Sequence, residues 1–132
     1  MSEKRLNADA GLLVLRVGLG AMMLTHGVPK LLKGPDLWPK LGDAVEAFGV
    51  TFGHSAFGAA AVAAETVCAA MVIVGWKARP VATMIVATMA VAAAMHLDAG
   101  HSWNKTSHAL ETGIGFLAIA VAGAGRYRIG RS

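Results

Sequence analysis

A single cysteine, Cys68, leaves this 132-residue chain without an internal disulfide, which excludes the stapled frameworks of small secreted domains. Charge is scarce as well. Asp, Glu, Lys and Arg fill 15% of positions, where a soluble domain carries roughly 25%. Aromatic residues fill only 6%. There is no internal repeat, no phosphate loop, no dinucleotide fingerprint and no Ser-His-Asp spacing. Neither Cys-x-x-Cys-His nor His-Glu-x-x-His accompanies the histidines, which leaves the His-x-x-Glu spacing of His108 and Glu111 as the metal signal. What the chain has is apolar residues, at 55% of positions. That excludes disorder. They are gathered into blocks nearly free of charge rather than spread as amphipathic stripes, which points to lipid and away from a soluble enzyme.

Four blocks stand out, at residues 10–28, 56–76, 80–97 and 107–124, each 18 to 21 residues long. A helix needs roughly 17–25 residues to cross a bilayer core, and open strands would leave backbone groups unpaired in hydrocarbon. The sequence therefore predicts an all-α, integral membrane four-helix bundle forming one domain. Its joints agree: Lys77-Ala78-Arg79-Pro80 is a tight basic turn, and Ser107 offers an N-cap to the last span. In the long connection, Leu41, Val45, Phe48 and Phe52 recur at helical spacing, which predicts a short interfacial helix between the first two spans. Gly11, Gly18 and Gly20, Ala56-Ala60-Ala64, Ala90-Ala94 and Gly113-Gly115 offer close helix packing. Cys68 reads as a small core hydrophobe.

Charges orient the bundle. Lys4, Arg5, Lys77, Arg79, Arg126, Arg128 and Arg131 fall on one side, against Glu3 and Asp9. The other side balances Lys30, Lys33, Lys40 and Lys105 with Asp36, Asp43, Glu46 and Asp98. The positive-inside rule then places both termini in the cytoplasm. The net charge of +4 reflects this topology, and no nucleic-acid partner is expected.

A charge at mid-membrane costs about 2.5–3.5 kcal/mol on insertion scales, so each needs a reason. Arg16, His26 and Lys30 share an arc of ~80° on the first helix, with Gly20, Met23 and Gly27 in the same stripe. Measured from the helix ends, Arg16 lies ~10 Å deep and Glu65 ~15 Å, which predicts an Arg16–Glu65 pair. Nearer the opposite boundary, His26, His96, His108 and Glu111 converge at one level, from three helices. Four readings fit that cluster: a hydrogen-bonded network, a quinone or other amphipathic head-group site, haem or metal on His26 and His96, and a substrate pathway. In the quinone reading a His or Lys donates to a carbonyl and a carboxylate moves protons.

The residues that stand out are Arg16-Val17-Gly18, His26-Gly27-Val28-Pro29-Lys30, Glu65, Gly75 to Arg79, His96, Glu111 and the terminal Gly123-Ala124-Gly125-Arg126-Tyr127. Together they resemble the DoxX family of small four-helix bacterial membrane proteins, over essentially the whole chain. The resemblance implies a bacterial inner-membrane, multi-pass protein in a redox setting, linked to quinone-dependent oxidoreductase complexes. It singles out Arg16, His26, Gly27, Lys30, Glu65, His96 and Glu111. Where family members often follow the terminal motif with a small polar residue and an acid, this chain has Arg128-Ile129-Gly130.

The expectation is thus the quinone-interacting membrane subunit of an oxidoreductase. His26, Lys30, Glu65 and Glu111 would handle protons, and Arg16, His26, Gly27, His96 and His108 would hold the cofactor. The alternative is a non-catalytic assembly or anchor module, or a binder of a lipid-like small molecule. Either way the expected partners are the bilayer, further copies of the chain and other membrane or redox proteins.

Overall fold

The computed structural model describes residues 2–130; Met1, Arg131 and Ser132, and with Arg131 one of the bases counted above, lie outside them. Among the described residues every regular element is helical.

The first helix, Glu3–Lys33, has 31 residues, ~46 Å of rise. It extends past the apolar block at both ends. Ser2 caps it, its hydroxyl accepting from the Arg5 N–H, and Lys30 and Lys33 sit in the last turn, where cations suit the negative end of the helix dipole. The helix also runs through Pro29. Hydropathy marked only the segment that lipid demands, and the chain continues helical beyond it.

The second helix, His54–Val74, stops at Gly75, whose φ of 81° no larger residue would hold cheaply. Lys77 also has positive φ, at 47°, so the turn to the third helix, Ala78–Asp98, takes three residues. The fourth helix, Trp103–Ala122, starts four residues before the apolar block. Ser102, not Ser107, stands at its N-cap, and the Ser107 hydroxyl instead donates to the Asn104 carbonyl.

The first three helices are long and apolar enough to cross a membrane. The fourth has the length, 20 residues, but its early start takes in Asn104 and Lys105 ahead of His108 and Glu111. Its first half is therefore polar. It packs along the third helix, burying Phe116 and Ile119 beside Ile85, Met89 and Val72. Cys68, 7% exposed, belongs to the same core.

The connection between the first two helices is itself helical: Pro35–Leu37 and Asp43–Phe48 as 3-10 turns around a short α-helix, Trp38–Gly42. Only Val45 of the expected apolar stripe is buried; Leu41 is half-buried, and Phe48 and Phe52 are exposed. Close backbone approach holds this segment. A Cβ on Gly42 would strike the carbonyl of His54, and one on Gly58 that of Trp38. Among the expected contact glycines, Gly20 and Gly115 meet Ile73 and Leu19, whereas Gly11 and Gly18 face outward with nothing within 4 Å.

The early turns of the first helix and the described C-terminal segment meet at one end of the bundle. The Arg126 N–H donates to Asp9 Oδ1 at 3.2 Å and the Ile129 N–H to the Val74 carbonyl at 2.8 Å. The C-terminal segment thus lies across the turn between the second and third helices.

Candidate functional site

Arg16 is completely buried, but its partner is not Glu65. It donates to the carbonyls of Val72 at 3.1 Å and Ile73 at 2.8 Å, and to that of Tyr127. Side chains on a helix lean toward its N-terminus. Arg16 therefore reaches toward the terminal end of the bundle, where the last carbonyls of the second helix form the negative end of its dipole. Glu65 lies two turns the other way. The expected Arg16–Glu65 pair is replaced by a cap in which a guanidinium ties the second helix to the C-terminal segment.

The same lean gives Glu65 a different partner. Lys30 points back along the first helix, and its Nζ lies 2.7 Å from Glu65 Oε2. Glu65 is 7% exposed, while the Lys30 side chain keeps about a third of its surface. Pairing is what lets a carboxylate stand at this depth.

The backbone is unusual at the same place. Residues Ala64–Cys68 form a π-turn inside the second helix, a feature frequent at functional sites. The first helix meets it through Gly27, where any Cβ would run into the Glu65 carbonyl. Gly27 thus serves close approach, one turn below the lysine that the approach positions.

Beside the ion pair is a cavity of about 250 Å³ between the first, third and fourth helices. Its polar lining is His26, Lys30, Glu65, His96, Lys105, His108 and Thr112, and its walls include Met22, Met23, Met89 and Met95. The histidines form two pairs. His26 and His108 have ring centroids 5.4 Å apart, and His96 Nδ1 lies 2.9 Å from His101 Nδ1, so one of that pair donates and the other accepts. Of the residues expected at this level, His26, His96 and His108 come together, and Glu111 does not. It is exposed on the fourth helix and lines no part of the cavity. Lys105 and Thr112 take part without having been foreseen. Lys105 reads as loop in a hydropathy scan, and Thr112 has no chemistry of its own until the fold places it.

The Lys30–Glu65 pair has a second cavity on its other side, of about 240 Å³, under the short helical connection. The two cavities share Lys30, Glu65, Ala92 and Met95 as a partition. Elsewhere, Asp43 and Glu46 approach opposite nitrogens of His54, each at 3.3 Å, and the three side chains could hold a metal ion. With one acid on each nitrogen, the imidazole reads as a clamp between the 3-10 turn and the second helix. At the terminal end a wider, open hollow of about 690 Å³ is lined by Asp9, Arg79 and Arg128, among others.

Long apolar helices, a half-buried ion pair on a π-turn and a cavity lined by histidine and lysine define a helical membrane protein with an internal polar site. The family model of DoxX matches residues 11–97, which is most of the chain, and the chain belongs to the DoxX family. That match takes in Arg16, His26, Gly27, Lys30, Glu65 and His96, and leaves out the fourth helix and the terminal Gly-x-Gly-Arg-Tyr. No curated protein and no solved structure matches the chain.

Proposed function

We propose that this chain is the quinone-interacting membrane subunit of an oxidoreductase complex, seated in the cytoplasmic membrane of a bacterium with both termini in the cytoplasm. The observation that carries the reading is the Lys30–Glu65 pair, its acid nearly buried, in the wall of the histidine-lined cavity. The residues fit a quinone head group. Methionine and leucine walls suit a flat apolar ring, and Lys30, Lys105 and the imidazoles of His26, His96 and His108 supply donors for carbonyl oxygens. A bound quinone would take up electrons and protons together. Glu65 is the one carboxylate lining the cavity, so the proton-handling role falls to it and the imidazoles, with Lys30 holding the charged form.

The histidine pairing favours quinone over haem. The two rings best placed to flank a macrocycle, His26 and His96, each face another imidazole. The orientation rests on Lys4, Arg5, Lys77, Arg79, Arg126 and Arg128, on the segments that gather at one end of the bundle. With no sequence motif for an electron carrier, the chain in this reading works as a homo-oligomer or beside a redox partner.

A second reading has its own support. The His96–His101 hydrogen bond and the Arg16 cap suit a non-catalytic assembly or anchor module whose polar residues serve structure. A reduced-minus-oxidised spectrum of the purified protein supplemented with a benzoquinone separates the two. The quinone reading expects a ligand band that weakens in His26→Ala while the protein stays folded. A spectrum identical to that of free quinone contradicts it.

A further inference from the structure

Lys30, Glu65, Ala92 and Met95 wall both cavities, and the two spaces differ in kind. The first is ringed by imidazoles and ammonium groups. The second holds no polar side chain beyond the shared ion pair and Thr88, and is walled by Leu41, Val45, Ala61, Ala87 and Val91. The partition between them is slight. Met95 and Lys30 are unbranched and flexible, Lys30 is about one-third exposed, and Ala92 has little bulk. Met95 is the flexible part of the wall that can give way while the ion pair stays formed.

We infer that the second cavity receives the apolar chain of the molecule whose head group occupies the first, so that the ligand is a long-tailed amphiphile threaded past the Lys30–Glu65 pair. This inference rests on the head-group reading above and adds what that reading leaves open: why the pair stands between two spaces instead of at the end of one. An ammonium has three donors, so Lys30 can bond a head-group oxygen while it stays on Glu65, and the tail passes beside the intact pair. The occupant is a chain because the lining is apolar, and it belongs to the head-group ligand because the spaces share a wall.

The test compares a decyl-substituted benzoquinone with its tailless parent, titrated into the purified full-length chain in detergent. Ala61→Phe fills the second cavity, and Ala87→Leu narrows it from an exposed position that disturbs no core contact. Neither residue lines the first cavity. The wild-type protein is expected to prefer the decyl compound by roughly tenfold, or ~1.4 kcal/mol. Each folded variant should lose that preference while binding the parent as before. Parent binding with no tail preference in the wild type, or a preference that survives both substitutions, overturns the tail site alone. Failure of the wild type to bind either compound overturns the head-group reading, and the tail site with it.

Discussion

Lys30 and Glu65 meet 35 positions apart in sequence, Nζ to Oε2 at 2.7 Å, on the turn of the second helix that departs from α-geometry. The pair is unequal, since the acid is nearly buried and the lysine keeps about a third of its surface. Removing the lysine strands a carboxylate, which must take up a proton or be paid for in desolvation. Removing the acid leaves an ammonium able to reach toward the polar boundary. Lys30→Met should therefore cost about 2–4 kcal/mol and Glu65→Gln about 1–2 kcal/mol. The double variant should recover part of the loss, and thermal unfolding in detergent reads all three. Strict additivity would show that the pair carries no coupling.

Arg16 should be energetically independent of Glu65. Its guanidinium serves the carbonyls of Val72, Ile73 and Tyr127, so losses from Arg16→Ala and Glu65→Ala should add within about 0.5 kcal/mol. Arg16→Met should also free the C-terminal segment, seen as faster proteolysis after Ala122. A coupling of more than ~1 kcal/mol would restore the pairing that depth alone suggests.

Gly27 and Gly18 make a matched comparison on one helix. A Cβ at position 27 meets the Glu65 carbonyl, and one at 18 meets nothing within 4 Å. Gly27→Ala should destabilise by about 1–3 kcal/mol, as overpacking does. Gly18→Ala should be neutral or gain up to ~1 kcal/mol through helix propensity. Similar outcomes at both positions would mean that the first helix does not pack on the π-turn through Gly27.

The clamp at His54 is a modest fastening. Asp43 and Glu46 are each more than half exposed, so His54→Ala should cost less than ~1 kcal/mol of global stability. Its larger effect should be local, as faster amide exchange over Asp43–Phe48. Unchanged exchange there would show that backbone contacts at Gly42 and Gly58 suffice.

These contrasts show how far sequence reasoning reaches. Apolar blocks located the helices because lipid punishes any other spanning structure, and His26, His96 and His108 could be brought together by counting rise. Two things escaped. Hydropathy registers only what lipid demands, so it missed the polar first turns at Glu3–Asp9 and the early start at Trp103. Depth counting also treats a side chain as sitting at the height of its Cα. On Arg16 and Lys30 the lean toward the N-terminus shifts each by about a turn, enough to exchange their partners. The π-turn at Ala64–Cys68 has no glycine or proline to announce it, and comes only with the packing of Gly27 against Glu65.

The most direct test of the head-group site is the affinity of a tailless benzoquinone for the purified protein, with Lys30→Met and Glu111→Gln measured beside the wild type. Lys30 lines the cavity and Glu111 does not. Loss of a hydrogen bond from a charged donor is worth about 1.5–3 kcal/mol, so Lys30→Met should bind roughly tenfold or more weakly, and Glu111→Gln as the wild type does. Equal affinity in Lys30→Met and the wild type, or a larger loss in Glu111→Gln, would contradict a site built on the Lys30–Glu65 pair.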